Sequence, residues 1–452
     1  MNDLLKVSIA GVRGVVGSSI TPQVVSDFAQ AFGGFVGRGQ VLIGRDTRPS
    51  GAMLEQAVVA GLLSVGCRPV RLGVVPTPSL LFLVKDLGAL GGIAITASHN
   101  PVEWNALKFV DRSGLFLNED QAQEVFDIYH QHDTRLVDEA DIHAIRDLPF
   151  AVSRHLDRIA VFVDTESIRE KPFRVAVDCI NGVGALSSVR FLREYLNVEV
   201  VPVFDKPTGV FERDPEPTPE NLSALCAAVK EHDCDIGFAQ DPDGDRLSVV
   251  NEKGEPIGED LTLGLAVDQM LSAHEPGPVV VNLSTSKRVE ALAARHNVPF
   301  VRTRIGEVHV ARRMLRLGGV VGGENNGGII VPAIHPCRDS FAGMALILEG
   351  MARRGDTVSA WQSEFPDMVL VKDKAQLAGP ELPEVLRAVR RHFEGERLDL
   401  RDGVYVDFGS SWLHVRASNT EPVLRFMCEA PTAAEADSRL DEVRGILVNH
   451  LA

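Results

Sequence analysis

Four loops in this chain carry residue types whose spacing could do chemistry. Asp241-Pro242-Asp243-Gly244-Asp245-Arg246 sets three carboxylates at alternate positions on a tight turn between apolar segments. Left bare, like charges about 4 Å apart repel by roughly 1–4 kcal/mol at dielectrics of 80 to 20. A divalent cation removes that repulsion, and hard carboxylate oxygens suit Mg²⁺, which also leaves room for a phosphate oxygen. An EF-hand is the metal-binding alternative, but it needs glycine at the sixth loop position, where Arg246 stands, and it needs helices where strand-like segments flank this loop. Thr96-Ala97-Ser98-His99-Asn100-Pro101 follows the strand-like Gly-Gly-Ile-Ala-Ile. A serine there can project its hydroxyl into a cleft, although Ser, Asn and Pro also make plain turns and helix caps. No GxSxG elbow surrounds Ser98, so an α/β-hydrolase nucleophile is unsupported.

Two further loops offer ligand contacts. Gly322 to Gly328 reads GGENNGG: glycines permit close backbone approach, and Glu324 with its asparagines supplies acceptors and donors suited to sugar hydroxyls. A hairpin turn is the plainer reading, because Asn-Gly is a strong turn signal. Arg416-Ala417-Ser418-Asn419-Thr420-Glu421-Pro422, with Arg425 close behind, gathers two guanidiniums, two hydroxyls and an amide. Guanidinium forks bind phosphate oxygens in pairs, so this loop reads as a phosphate cradle, with an exposed capped loop as the alternative.

These loops need strands to present them. Residues 41–75 read as strand, turn (TRPSG), helix and strand; the unit recurs from FRVAVDC to VEVVPVF and again from VVVNLSTS to VVGGENNGG, predicting parallel or mixed sheets with function in the loops after strands. The last segment alternates like strands over GVYVDFG, SWLHVRAS and VLRFMCEA. It then places Leu440, Val443, Leu447 and His450 near helical spacing, which predicts a small α+β domain. Polar seams near residues 150, 256 and 370 divide the chain into domains at 1–150, 151–256, 257–368 and 369–452, with the site in a cleft between them. A length of 452 residues is ample for several cores at about 150 residues each.

The 46 basic and 62 acidic residues leave a net charge of −16, a field that repels nucleic acids and anionic membranes, so neither is an expected partner. Six scattered cysteines without a CxxC pair argue against a zinc site or disulfide framework and fit a cytoplasmic protein; no signal peptide or long apolar run is apparent.

Taken together and in order, TASHNP, DPDGDR, GGENNGG and RASNTEP resemble the four characteristic loops of the α-D-phosphohexomutase family, which includes phosphoglucomutase, phosphomannomutase and phosphoglucosamine mutase. The resemblance spans essentially the whole chain. It implies a heart-shaped α/β protein of four domains, three related mixed-sheet domains and a C-terminal α+β domain, around a central cleft. It implies a phosphorylated Ser98, with Mg²⁺ held by Asp241, Asp243, Asp245 and the phosphoserine. It places Lys108, in TASHNPxxxNxxK, as a candidate general acid/base, with Arg246, Arg13 and His99 beside the reacting group. Glu324 and Asn326 match the sugar loop; Arg416, Ser418, Asn419, Thr420 and Arg425 match the phosphate loop. The implied reaction interconverts hexose 6-phosphate and hexose 1-phosphate through a bound hexose 1,6-bisphosphate, which also serves as activator, in a monomer or homodimer. One departure concerns the sugar. Related loops read GEMSGH or GGEQSGH, where this chain has Asn326 and Gly328. The opening VSIAGVRGVVG and PEPTPENL resemble bacterial phosphoglucosamine mutases and point to glucosamine 6-phosphate, with glucose and mannose phosphates as alternatives. Two rivals are a haloacid-dehalogenase-like phosphatase phosphorylated on aspartate and a non-catalytic sugar-phosphate sensor.

Overall fold

A computed structural model describes residues 5–9, 11–376, 381–417 and 423–451. Its strands form four sheets, one per quarter of the chain. In the first, Gln40–Arg45 runs parallel to Gly91–Ile95 and Arg68–Val74, and Trp104–Asp111 lies antiparallel to Gly91–Ile95. The predicted first unit appears as Gln40–Arg45, helix Gly51–Ser64 and strand Arg68–Val74. Its apolar strands are buried on both faces, as expected where helices cover a parallel sheet.

The second sheet places Arg174–Asp178 between Glu199–Val203 and Ile236–Gln240, with Leu247–Val250 antiparallel at the edge. The helix expected between FRVAVDC and VEVVPVF forms differently: an α-helix, Gly184–Arg190, passes into a wider π turn over Phe191–Tyr195. That wider turn brings the adjacent Phe191 and Leu192 both into the core. The third sheet orders Phe300–Thr303, Val279–Asn282, Val321–Glu324, Gly328–Val331 and His335–Arg338. The fourth is antiparallel throughout, running from Val369–Gln376 through Val423–Ala430, Trp412–Ala417 and Val404–Asp407 to Arg397–Asp399. Helix Ala433–Leu451 packs Leu440, Val443 and Leu447 into that sheet's core; the side chain of His450 lies outside the described residues. All six cysteines are free thiols. No helix among the described residues is long and apolar enough to cross a membrane.

The sheets are joined through buried contacts. One core runs continuously from Leu156 and Phe191 to Phe341 and Trp361, fusing the second and third sheets. Leu283 packs with Tyr405 and Trp412 to join the third to the fourth. Two buried histidines cross these joints. His335 Nε2 donates to the Gly114 carbonyl at 2.7 Å, linking third sheet to first. His414 Nε2 donates to the Asp402 carbonyl at 2.7 Å, which leaves Nδ1 to accept from Ser284 at 2.8 Å.

Burial pulls both histidines down to about 4. The unfolded chain takes up these protons near its ordinary value of about 6.5, so it binds more protons than the folded chain between about 6.5 and 4. Stability is therefore expected to fall as pH drops through that window, by about 1.4 kcal/mol per pH unit for each histidine. Urea midpoints at pH 7 and pH 5 measure the slope, and His335→Gln should reduce it; an unchanged slope in the variant would contradict the assignment.

Candidate active site

The three carboxylates sit on the turn between antiparallel strands Ile236–Gln240 and Leu247–Val250, so the flanking elements are strands and the EF-hand alternative is excluded. Asp241, Asp243 and Asp245 are each no more than 1% exposed, and one oxygen from each lies within 4.8 Å of the others. Ser98 reaches this cluster from the end of Gly91–Ile95: its Oγ donates to Asp241 Oδ2 at 2.6 Å. Asp241 Oδ1 accepts the backbone N–H groups of Asp245 and Arg246 at 3.1 Å. Three hydrogen bonds, one from Ser98 and two from backbone N–H groups, thus fix the Asp241 carboxylate in place.

Ser98 adopts φ +49°, the left-handed region that a residue with a Cβ enters only when its surroundings enforce it. The enforcement comes from a fully buried pair, Asp46 and Arg48. Arg48 Nη2 donates to the carbonyls of Ser98 and Asn100, and Nη1 to that of Pro101, all at 2.6 Å. Asp46 Oδ2 receives the Arg48 Nε at 3.1 Å and the Thr96 hydroxyl at 2.6 Å, while Thr96 Oγ1 accepts from the Ser98 N–H at 2.9 Å. Phe211, from the second quarter of the chain, lies over the guanidinium at 4.9 Å. Sequence reading took TRPSG as a turn and missed Arg48, since an arginine in a polar turn is ordinarily solvated.

Cations ring the carboxylates. Lys108 Nζ stands 3.0 Å from Asp243 Oδ2, which also receives the Thr77 hydroxyl at 2.8 Å. Lys108 is positioned by Gly11, whose φ of +103° and missing Cβ admit the Leu107 carbonyl at a spot where a methyl carbon would be 2.0 Å away. Arg246 is clamped between Glu216, at 2.7 Å, and His99 Nδ1, which accepts at 2.9 Å. Burial, with Arg246 and Arg13 adding to it, drives His99 down to about 2, so it stays neutral and positions Arg246. Arg13 Nη1 donates to Asn100 Oδ1, in the serine loop, at 2.7 Å.

Arg338, unremarked in the sequence reading, is the hub between loops. Its guanidinium meets Asp245 at 2.5 Å and both Glu324 and Glu307 at 3.2 Å. Burial opposes its charge, but the three carboxylates outweigh it and raise the guanidinium's affinity for its proton. Glu324 is also held by the Gly306 N–H at 2.8 Å and by Asn282 at 3.2 Å. Asn326 Oδ1 accepts from the Gly328 N–H of its own loop at 3.3 Å. Gly328 explains part of the departure in this loop: a Cβ there would lie 2.2 Å from Arg338 Cδ, so the arginine fills the space a larger residue would need.

Arg416 and Arg425 are cross-strand partners in the fourth sheet, and Arg416 Nε contacts Asp402 Oδ1 at 3.2 Å. The Asp402 carboxylate also accepts the Ile305 N–H at 3.0 Å, which ties this edge to the loop holding Glu324. Ser418, Asn419 and Thr420 lie outside the described residues.

The donor set fits a hard divalent cation. Asp243 Oδ1 and Asp245 Oδ1 are buried with no hydrogen-bond partner, and buried carboxylate oxygens left this way are costly. Burial pushes Asp241 well above the carboxylate range, and Asp245 and Asp243 push it further. Burial alone would also raise Asp243, but Lys108 and the hydrogen bonds from Asp241, Lys108 and Thr77 hold it below that range. The trio without a cation therefore keeps a proton on Asp241. Since metal ligation needs the carboxylate, Mg²⁺ should displace that proton and bind more tightly as pH rises. Calorimetry in buffers of different ionisation enthalpy should register the released proton, and Asp243→Asn should weaken binding. A buffer-independent heat would contradict the protonated trio.

Comparison with known proteins gives four successive matches: "Phosphoglucomutase/phosphomannomutase, alpha/beta/alpha domain I" over residues 5–136, domain II over 153–254, domain III over 259–368, and "C-terminal domain" over 369–446. A "Phosphoglucomutase/phosphomannomutase" of Thermococcus kodakarensis is 35% identical over 438 residues, covering 95% of this chain and 96% of the relative. A "Probable phosphoglucosamine mutase" of Methanopyrus kandleri is 35% identical over 436 residues, covering 96% and 95%. The crystal structure of a phosphoglucomutase/phosphomannomutase family protein from Burkholderia thailandensis superposes with a TM-score of 0.86 at 27% identity, covering 99% of this chain and 98% of the other.

Proposed function

Because the chain belongs to the phosphoglucomutase/phosphomannomutase family, whose members are phosphohexomutases, we propose that it interconverts hexose 6-phosphate and hexose 1-phosphate with Ser98 as the phosphoryl carrier. The observation that carries this reading is the Ser98 hydroxyl held 2.6 Å from a buried carboxylate trio. A phosphorylated Ser98 brings about −1.5 to −2 of charge to that point, which only strong compensation can stabilise. Mg²⁺ held by Asp241, Asp243, Asp245 and the phosphoserine would supply charge neutralisation there.

The remaining work falls to this chain's own groups. A hydroxyl of the bound sugar phosphate gives up its proton and attacks phosphorus; the bond from phosphorus to Ser98 Oγ breaks, and Oγ recovers a proton. Arg246, Lys108 and Arg13 offset the charge spreading over the transferred group. The resulting hexose 1,6-bisphosphate turns over, and Ser98 Oγ, giving up its proton, then attacks the other phosphorus; the bond from that phosphorus to the sugar oxygen breaks, the oxygen takes up a proton, the phosphoserine is restored and the isomer is freed. Arg416 and Arg425 serve the phosphate that is not reacting, and Glu324 serves ring hydroxyls in both poses. Lys108, beside Asp243, is the candidate proton carrier. Free thiols throughout fit a reducing, cytoplasmic setting.

Glucosamine 6-phosphate is the first choice of substrate, matching the name of the Methanopyrus relative; glucose and mannose 6-phosphates match that of the Thermococcus one. Turnover of each hexose 6-phosphate, with Mg²⁺ and a trace of bisphosphate, separates them: highest kcat/KM is expected for glucosamine 6-phosphate. A clear preference for another sugar would overturn the choice of sugar, and no turnover of any would overturn the reaction. Ser98→Ala should lower kcat by about three orders of magnitude or more while leaving the fold intact, because the covalent carrier is gone. Normal turnover by that variant would refute the carrier role.

A further inference from the structure

The outward face of helix Glu307–Leu317 carries Arg312, Arg313 and Arg316, opposite the face on which Glu307 meets Arg338. With Arg304 and Arg401 these line a cavity of about 390 Å³, whose far wall is the start of helix Glu119–Gln131. Three of the four quarters of the chain thus contribute. The lining sets five guanidiniums against two carboxylates, Glu119 and Asp120, in a chain whose net charge is −16. Some of these arginines have protein partners: Arg304 pairs with Glu119 at 2.8 Å, Arg312 with Asp111 at 2.9 Å, and Arg401 with Asp399. Arg313 and Arg316 have none among the described residues, and both are exposed. Arg316 lies three and four residues from the other two, so the helix brings like charges onto neighbouring turns, an arrangement that destabilises a helix unless an anion lies between them.

We propose that this cavity is a second ligand site, separate from the carboxylate trio, for a small molecule carrying two or more phosphoryl groups. Its volume lies within the range of small-ligand sites and exceeds what one phosphate would fill. Guanidinium forks match phosphate oxygens in pairs, and guanidiniums drawn from two domains suit an anion with several such groups. Concentrating positive charge in a concavity of an otherwise acidic protein also draws in polyanions from solution. Binding here requires neither Ser98 nor the three aspartates.

Titration calorimetry with magnesium-free tripolyphosphate on the full chain tests the site. One ligand per chain is expected, with affinity reduced roughly tenfold or more in Arg313→Ala/Arg316→Ala and unchanged in Arg416→Ala. Alanine is a good helix former and both sites are exposed, so the double variant should keep its circular dichroism; Arg401→Ala, on another domain, should weaken binding independently. ATP in the same titration distinguishes a nucleotide from an inorganic polyphosphate as the preferred source. No binding to the unmodified chain at millimolar concentration, equal affinity in the arginine variants, or loss only in Arg416→Ala would overturn the proposal.

Discussion

Three carboxylates within 4.8 Å of one another, almost wholly out of water, dominate the energetics of this molecule. Isolated buried charges are among the costliest features a fold can hold, and like charges compound the cost. The neighbourhood reads as a response to that constraint. Lys108 faces Asp243, Arg338 faces Asp245, and Ser98 donates to Asp241. Two carboxylate oxygens stay unpartnered. The fold therefore neutralises most of the charge and leaves the remainder pointing where a cation can bind.

The same groups bind the chain's quarters together. Lys108 and Thr77 come from the first sheet's elements, and both end on Asp243 of the second. Arg338 leaves the third sheet and meets Asp245 of the second and Glu324 of its own. Asp402 in the fourth quarter holds Arg416 and the backbone at Ile305, next to the loop that grips Glu324. Charge compensation and domain arrangement are one problem here: moving the first or third sheet away from the second would leave Asp243 or Asp245 without its cation. The strained backbone at Ser98 is maintained in the same way, by Arg48 donating to the carbonyls of Ser98, Asn100 and Pro101 in one loop.

Much of this was legible in the sequence, for a physical reason. The serine and the aspartates lie on loops that directly follow strands and Glu324 ends one, and a strand's apolar run followed by glycine and polar residues is visible without coordinates. The repeated strand-helix-strand units and the small α+β C-terminal domain were readable from periodicity alone. Arg48, Arg338, Glu307 and Glu216 were not. Their importance comes from partners distant along the chain, and an arginine in TRPSG or after His-Pro-Cys looks like any surface arginine until its neighbours are known. The π turn at Phe191 was hidden for a related reason, since helical periodicity does not reveal where a turn widens to bury adjacent residues. Within the phosphate loop, the pairing of Arg416 with Arg425 across two strands follows from register, which composition does not encode.

The account turns on where the phosphoryl group is carried. Incubating the protein with hexose 1,6-bisphosphate and Mg²⁺, quenching, and mapping the modified peptide by mass spectrometry reads this directly. Phosphate on Ser98 alone is the predicted result. Phosphate on Asp241, with the serine unmodified, would contradict it and turn the aspartate trio from a cation site into the nucleophile.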